Sequence, residues 1–191
     1  MAALLKKSII LRLVRYKHSK PMNMLKHIVL TIVLLTVSTN LCAQDNSVNW
    51  LSFGQLEDSL AVQPKKIYID FYAEWCAYCK KMDEAAYKNP EIVQTLNTEY
   101  YAVKMDAETR DAIAFDGYIF ENKQLGKKRN PVHEIPLLLA SREGASFSLP
   151  AVVVLDESFR VTDRYFEYLS PKKMLKILKN DRRTFDLGKG K

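Results

Sequence analysis

The sequence predicts an α/β domain built on a mixed central sheet with helices on both faces. Three observations predict it. Runs rich in β-branched and aromatic residues at 67–72, 100–105 and 151–155 are separated by segments with helical spacing, which implies parallel crossovers among the first strands. A fourth run at 160–166 follows the third after only the turn Asp156-Glu157-Ser158, so the last pair reads as an antiparallel hairpin. Asn89-Pro90, Asn130-Pro131 and Ser170-Pro171 each set a capping side chain before a proline, a helix-start signature.

The elements follow in order. Residues 44–49 are polar. From Trp50 to about Val62, Leu51, Phe53, Leu56 and Leu60 form a helical stripe that Pro64 ends. Ile67-Tyr68-Ile69-Asp70-Phe71-Tyr72 reads as a buried strand in which Asp70 is out of place. A helix is expected from near Cys76 to about Lys88, a short one from Pro90 to Leu96, and a second strand over Tyr100–Met105. Glu108–Phe115 is expected to be helical, and Asp116–Arg129 irregular. A helix runs from Asn130-Pro131 toward Arg142, with Pro136 expected to distort it. The third strand is Ala151–Leu155 and the fourth Arg160–Phe166. The last helix opens at Ser170-Pro171 with Met174, Leu175, Ile177 and Leu178 inward, and Thr184–Lys191 is a flexible tail.

Charge and cysteine usage narrow the function. The chain has 191 residues, 48% apolar and 27% charged, which suits one globular domain. Of 29 Lys and Arg, seven lie in residues 1–43 with no acid, leaving 22 against 22 Asp and Glu beyond, so the net +7 makes no case for nucleic acid. Residues 1–43 read as an export signal, a basic leader followed by the apolar core Ile28–Val37, cut after Ala43. A membrane span needs about 20 apolar residues. Lipidation at Cys42, an uncleaved anchor over residues 25–43 and a start at Met22 or Met24 stay open. The expected location is the periplasm, with membrane contact only through an uncleaved leader. Cleavage leaves two cysteines, Cys76 and Cys79, and one histidine, His133. So close a pair cannot serve as a disulfide framework for the fold.

A C-x-x-C pair in the first turn of a helix has a chemical rationale. The unpaired amides and partial positive charge there favour a thiolate. Cys76 can then attack a partner's disulfide, and Cys79 can resolve the mixed disulfide. Other readings remain: half of a zinc site, which would need further ligands, an inert buried pair, or a site that holds or delivers a soft ion such as Cu(I). His133 is expected to be a surface or capping residue.

The segment Asp70-Phe71-Tyr72-Ala73-Glu74-Trp75-Cys76-Ala77-Tyr78-Cys79-Lys80 resembles the active-site segment of the thioredoxin superfamily, especially its exported, thiol:disulfide interchange members. The resemblance covers roughly residues 50–180 and implies a thioredoxin fold. By it, Cys76 would attack, Cys79 would resolve, Trp75 would shield the site, and the buried Asp70 would assist proton transfer at Cys79. Pro150 matches the family's cis-proline, and Leu149, Ala77 and Tyr78 would contact substrate. The implied activity is disulfide reduction in exported proteins, with oxidation or isomerisation as the reverse direction. It needs no cofactor beyond the Cys76–Cys79 disulfide, but does need a membrane or soluble thiol electron donor. The interval from Cys76 to Pro150 is longer than in a minimal thioredoxin, placing an insertion at about 116–146 within a domain of 44–183. Ala77-Tyr78 matches neither Gly-Pro nor Pro-His, and Glu84-Ala85 stands where the family's helix carries a kinking proline.

Overall fold

A computed structural model of the chain describes residues 26, 28, 29 and 46–188, with side chains through residue 179. Of the leader only residues 26, 28 and 29 are described, all helical. The rest of its apolar core, Cys42 and the cut after Ala43 lie outside the described residues. From Asn46 onward the chain forms a unit of its own.

Local signals set the first elements. Helix α1 is Phe53–Val62, capped reciprocally by Ser52 and Gln55. That capping box starts the helix three residues later than the apolar stripe suggested. Trp50 and Leu51 lie ahead of it; Leu51 bridges Val103, and its amide donates to Ala102 O at 2.8 Å. Strand β1 is Lys66–Tyr72, and helix α2, Ala77–Ala85, begins after Cys76. Asn89 accepts from the Glu91 and Ile92 amides to open α3, Pro90–Glu99, which passes the expected end at Leu96. Strand β2 is Tyr100–Asp106.

The insertion departs from expectation. Residues 108–115 are not a helix. Strands β3, Ile113–Phe115, and β4, Tyr118–Phe120, form an antiparallel hairpin. Its two turn residues, Asp116 and Gly117, have φ of 51° and 73°, the left-handed conformation that Asp-Gly tolerates and tight hairpins require. The next helix, α4, is Glu134–Ala140, capped by His133 rather than by Asn130. Pro136 falls in its first turn, where no amide partner is needed, so the helix is not distorted. Strands β5, Ala151–Leu155, and β6, Val161–Tyr165, precede α5, Pro171–Gly188. Helix α5 therefore runs past Thr184, and 189–191 lie outside the described residues.

The four-stranded sheet has the order β2-β1-β5-β6. β1 and β2 are parallel, with Asp70 opposite Lys104. β5 runs antiparallel to β1, not parallel as the alternation implied. The cause is where the chain travels. β2 ends level with Tyr72, the insertion returns to that end through His133 N donating to Ala107 O at 2.8 Å, and β5 enters opposite Phe71. The expected mixed sheet with helices on both faces is present. Strand alternation sends Ile67, Ile69 and Phe71 to one core with Phe53 and Leu56 of α1 and Ile135 and Leu139 of α4. It sends Tyr68 to the other, with Met82, Ile92, Leu96, Met174 and Leu178. Asp70, two residues from Tyr68, lies on that second face, beneath α2.

Candidate active site

The loop 73–76 carries the chain from the end of β1 to the tip of α2. Cys76 is the N-cap, with extended backbone at φ −73° and ψ 96°, so the first-turn amides lack helical carbonyl partners. One of them, Cys79 N, donates to Cys76 Sγ at 3.1 Å. The two cysteines form a disulfide. A thiolate on Cys76 would keep that amide as a donor and sit at the positive end of the helix dipole. Each cysteine is only 3% exposed. Ala77 is exposed and forms the tip with Tyr78, which is 60% exposed.

Aromatic side chains flank the pair. The Tyr78 ring lies 6.0 Å from that of Tyr168, and Lys81 Nζ sits 4.8 Å from the Tyr168 centroid. On the other flank Trp75, 59% exposed, donates from Nε1 to Glu108 Oε1 at 3.0 Å. Asn130 Nδ2 donates to the same oxygen at 2.9 Å, which ties the insertion to the Trp75 indole. The Leu149–Pro150 bond is cis. Pro150 is buried, just ahead of the Ala151–Phe71 pairing and so at the same sheet end as the cysteine loop. Leu149 is half-buried against the core that holds Phe53.

Asp70 is 1% exposed. Its Oδ1 is buried without a hydrogen-bond partner, and its Oδ2 is 3.8 Å from Lys104 Nζ. Burial raises the Asp70 carboxyl to about 7; Lys104 opposes the rise and Asp83 adds to it. Lys104 is shared, since its Nζ also pairs with Asp83 Oδ1. The tyrosines of this pocket, Tyr68 and Tyr87, join hydroxyls at 3.0 Å, and burial, then the nearby Asp70, pushes both phenols well above their ordinary value.

His133 is fully buried, so it is a cap and not a surface residue. Its Nδ1 accepts from Ile135 N at 3.2 Å, and Nε2 has no partner. Among the described residues no group of three or more His, Cys, Asp or Glu could hold a metal ion, and no helix is long and apolar enough to cross a membrane. A surface hollow lined by Gln63, Lys65, Lys66, Thr98, Tyr101 and Glu157 lies at the opposite end of β1 from the cysteines.

Sequence reasoning missed Lys104, Asp83, Glu108 and Trp50. For Lys104 a signal exists: it is the one charge inside Tyr100–Met105, as Asp70 is in 67–72. Nothing local marks Asp83 or Glu108.

The family model Thioredox_DsbH, described as "Protein of unknown function, DUF255", matches residues 36–129. Thioredoxin-like protein slr0233 of Synechocystis sp. is 31% identical over 85 residues, which is 44% of this chain and 78% of that protein. The thiol:disulfide interchange protein DsbD of Campylobacter jejuni is 34% identical over 55 residues, 29% of this chain and 10% of that protein, so the match spans a tenth of its length. A solved structure named DsbH Oxidoreductase superposes with a TM-score of 0.49 at 16% identity, covering 70% of this chain and 83% of that one.

Proposed function

Since the chain belongs to the thioredoxin superfamily, with the thioredoxin fold and a thiol:disulfide interchange-like C-x-x-C disulfide, we propose that it reduces disulfides in exported proteins through Cys76 and Cys79. One observation carries this reading. Cys76 Sγ accepts from the Cys79 amide in the first turn of α2 and is bonded to Cys79, with a buried acid on the sheet face beneath.

The exchange proceeds in two balanced steps. The Cys76 thiolate attacks one sulfur of a substrate disulfide. A mixed disulfide forms, and the other substrate sulfur leaves as a thiolate that takes a proton. The Cys79 thiol then gives its proton to Asp70 and attacks Cys76 Sγ. The Cys76–Cys79 disulfide closes, and the second substrate sulfur leaves as a thiolate. Two electrons pass from the protein to its substrate, and a thiol donor, membrane-bound or soluble, must return them. With its carboxyl near 7, Asp70 can both accept and release a proton near neutrality.

The remaining residues seat the substrate. Both sulfurs are nearly covered, so a substrate chain must dock before exchange. The exposed Trp75 and Tyr78 flank the approach, and the Leu149–Pro150 backbone offers polar groups beside it. The leader supports an extracytoplasmic site of action, the periplasm. The relatives' printed name of thiol:disulfide interchange protein supports a partnership with protein thiols.

Insulin reduction by the exported form, with Cys76→Ser as control, tests the activity. Equilibration of Cys76–Cys79 against glutathione tests direction. A potential near about −270 mV supports the reductant, and one near about −120 mV reverses the electron flow. Thiols that resist alkylation even after dithiothreitol treatment would overturn the whole reading.

A further inference from the structure

The segment 47–51 is strapped across the edge of β2. Asn49 N donates to Asn97 Oδ1 at 2.8 Å, Asn97 Nδ2 returns to Ser47 O at 2.9 Å, and Leu51 bridges Val103 in parallel. Val48 is buried in the core beneath. The strap brings Trp50 over the Lys104 ammonium, with Nζ 5.4 Å from the indole centroid. Tyr72 and Tyr87 close around the same ammonium at 5.1 and 5.5 Å. Trp50 also stands edge-on against Tyr87 at 4.8 Å, which fixes its plane. Lys104 thus has three aromatic rings about it, an ion pair to Asp83, and Asp70 Oδ2 at 3.8 Å; its side chain is 18% exposed.

We propose that Trp50 is a positioning residue, a ring roof that confines the Lys104 ammonium and keeps water from the Asp70 carboxyl, and thereby sets the pH at which Asp70 takes the proton of Cys79. The function assigned to Trp50 rests on the reading of Asp70 given above. The physical basis is twofold. An ammonium over an indole face is attracted by the ring quadrupole, which keeps Lys104 shared between two acids instead of collapsing onto Asp70. An apolar roof also denies Asp70 the hydration its charged form needs. The charged and titratable groups that face Asp70 are Lys104 from β2, Asp83 and Tyr87 from α2 and the turn after it, and Tyr68 and Tyr72 from its own strand. α5 contributes the apolar Met174, which accepts from the Tyr68 hydroxyl at 3.9 Å.

The test is the titration of the Asp70 carboxyl carbon, followed by NMR in the full-length reduced protein and in Trp50→Leu and Trp50→Phe. Both substitutions keep an apolar side chain, and only Phe keeps a ring face. The Leu variant is expected to lower the Asp70 midpoint by about one pH unit, and Phe to hold it within about 0.3. The acid limb of single-turnover disulfide exchange shifts with it in the Leu variant. A midpoint unchanged in the Leu variant, or lowered equally in both, overturns the proposal. The carboxyl titration needs no turnover. A protein that reduces nothing but shows the Leu shift would refute the proposed function and leave the role of Trp50 over Asp70 standing.

Discussion

Asp70 stands on a strand whose neighbours are apolar or aromatic, and burial lifts its carboxyl from 3.8 to about 7. Between those values the folded chain holds a proton that the unfolded chain releases. The contribution of this group to stability is intact below about pH 4 and lost as pH rises through 7, about 4 kcal/mol in all. Asp70→Asn removes the titration. In urea unfolding the variant is expected to gain stability over wild type at pH 8.5, with the gain gone at pH 4; a variant less stable at pH 8.5 contradicts the assignment. The same substitution removes the proton acceptor, and the second exchange step at pH 7 is expected to slow by about a hundredfold, read by quenched-flow trapping of the mixed disulfide. Stability gained while exchange is lost would mark the acid as kept for chemistry.

Helix termini hold the loops that shape the site. His133 is the cap of α4 and, through its backbone amide, the clasp that returns the insertion to Ala107. Burial lowers its imidazole below the usual 6.5. The unfolded chain then binds the proton more readily, so the stability that depends on neutral His133 is full above pH 6.5 and lost as pH falls below it. His133→Ala is expected to cost about 1 kcal/mol at pH 7.5 and to flatten the acid limb of the stability profile in thermal melts. Ser52→Ala, at the capping box of α1, is expected to cost about 1 kcal/mol with no change in insulin reduction, since α1 packs on the face away from Asp70. The β3–β4 hairpin carries its own signal, Asp116-Gly117 between Ile113-Ala114-Phe115 and Tyr118-Ile119-Phe120. Its three-residue strands are too short to show a period, and the preceding Glu108–Asp111 looks helical.

One sheet separates two cores, and every strand contributes to its packing. Leu56 on one side and Leu96 on the other are both fully buried. Leu56→Ala and Leu96→Ala are each expected to cost about 2–5 kcal/mol. Because the shared sheet couples the two faces, each variant should still unfold in a single transition, with circular dichroism and tryptophan fluorescence coincident. Separate transitions would show that the faces are independent. The central β1 and β5 are nearly continuous apolar runs, which is why they were legible in the sequence. The polar edge β6 was placed only to within a residue at each end.

The sequence alone is enough for the two sulfurs at a helix tip, the misplaced acid in β1, the mixed character of the sheet and the starts of α2, α3 and α5. These features depend on spacing, capping and side-chain period over a few residues, and such interactions are written locally. The closed chain places Lys104 against Asp70, lets Asp83 share the lysine, sets the Trp50 indole over it, joins Trp75 to the insertion through Glu108 and turns β5 antiparallel to β1. Each joins residues 21 to 88 positions apart. Strand register and the path of the insertion bring them together, and no local preference encodes a contact whose partners meet only after the chain has closed around them.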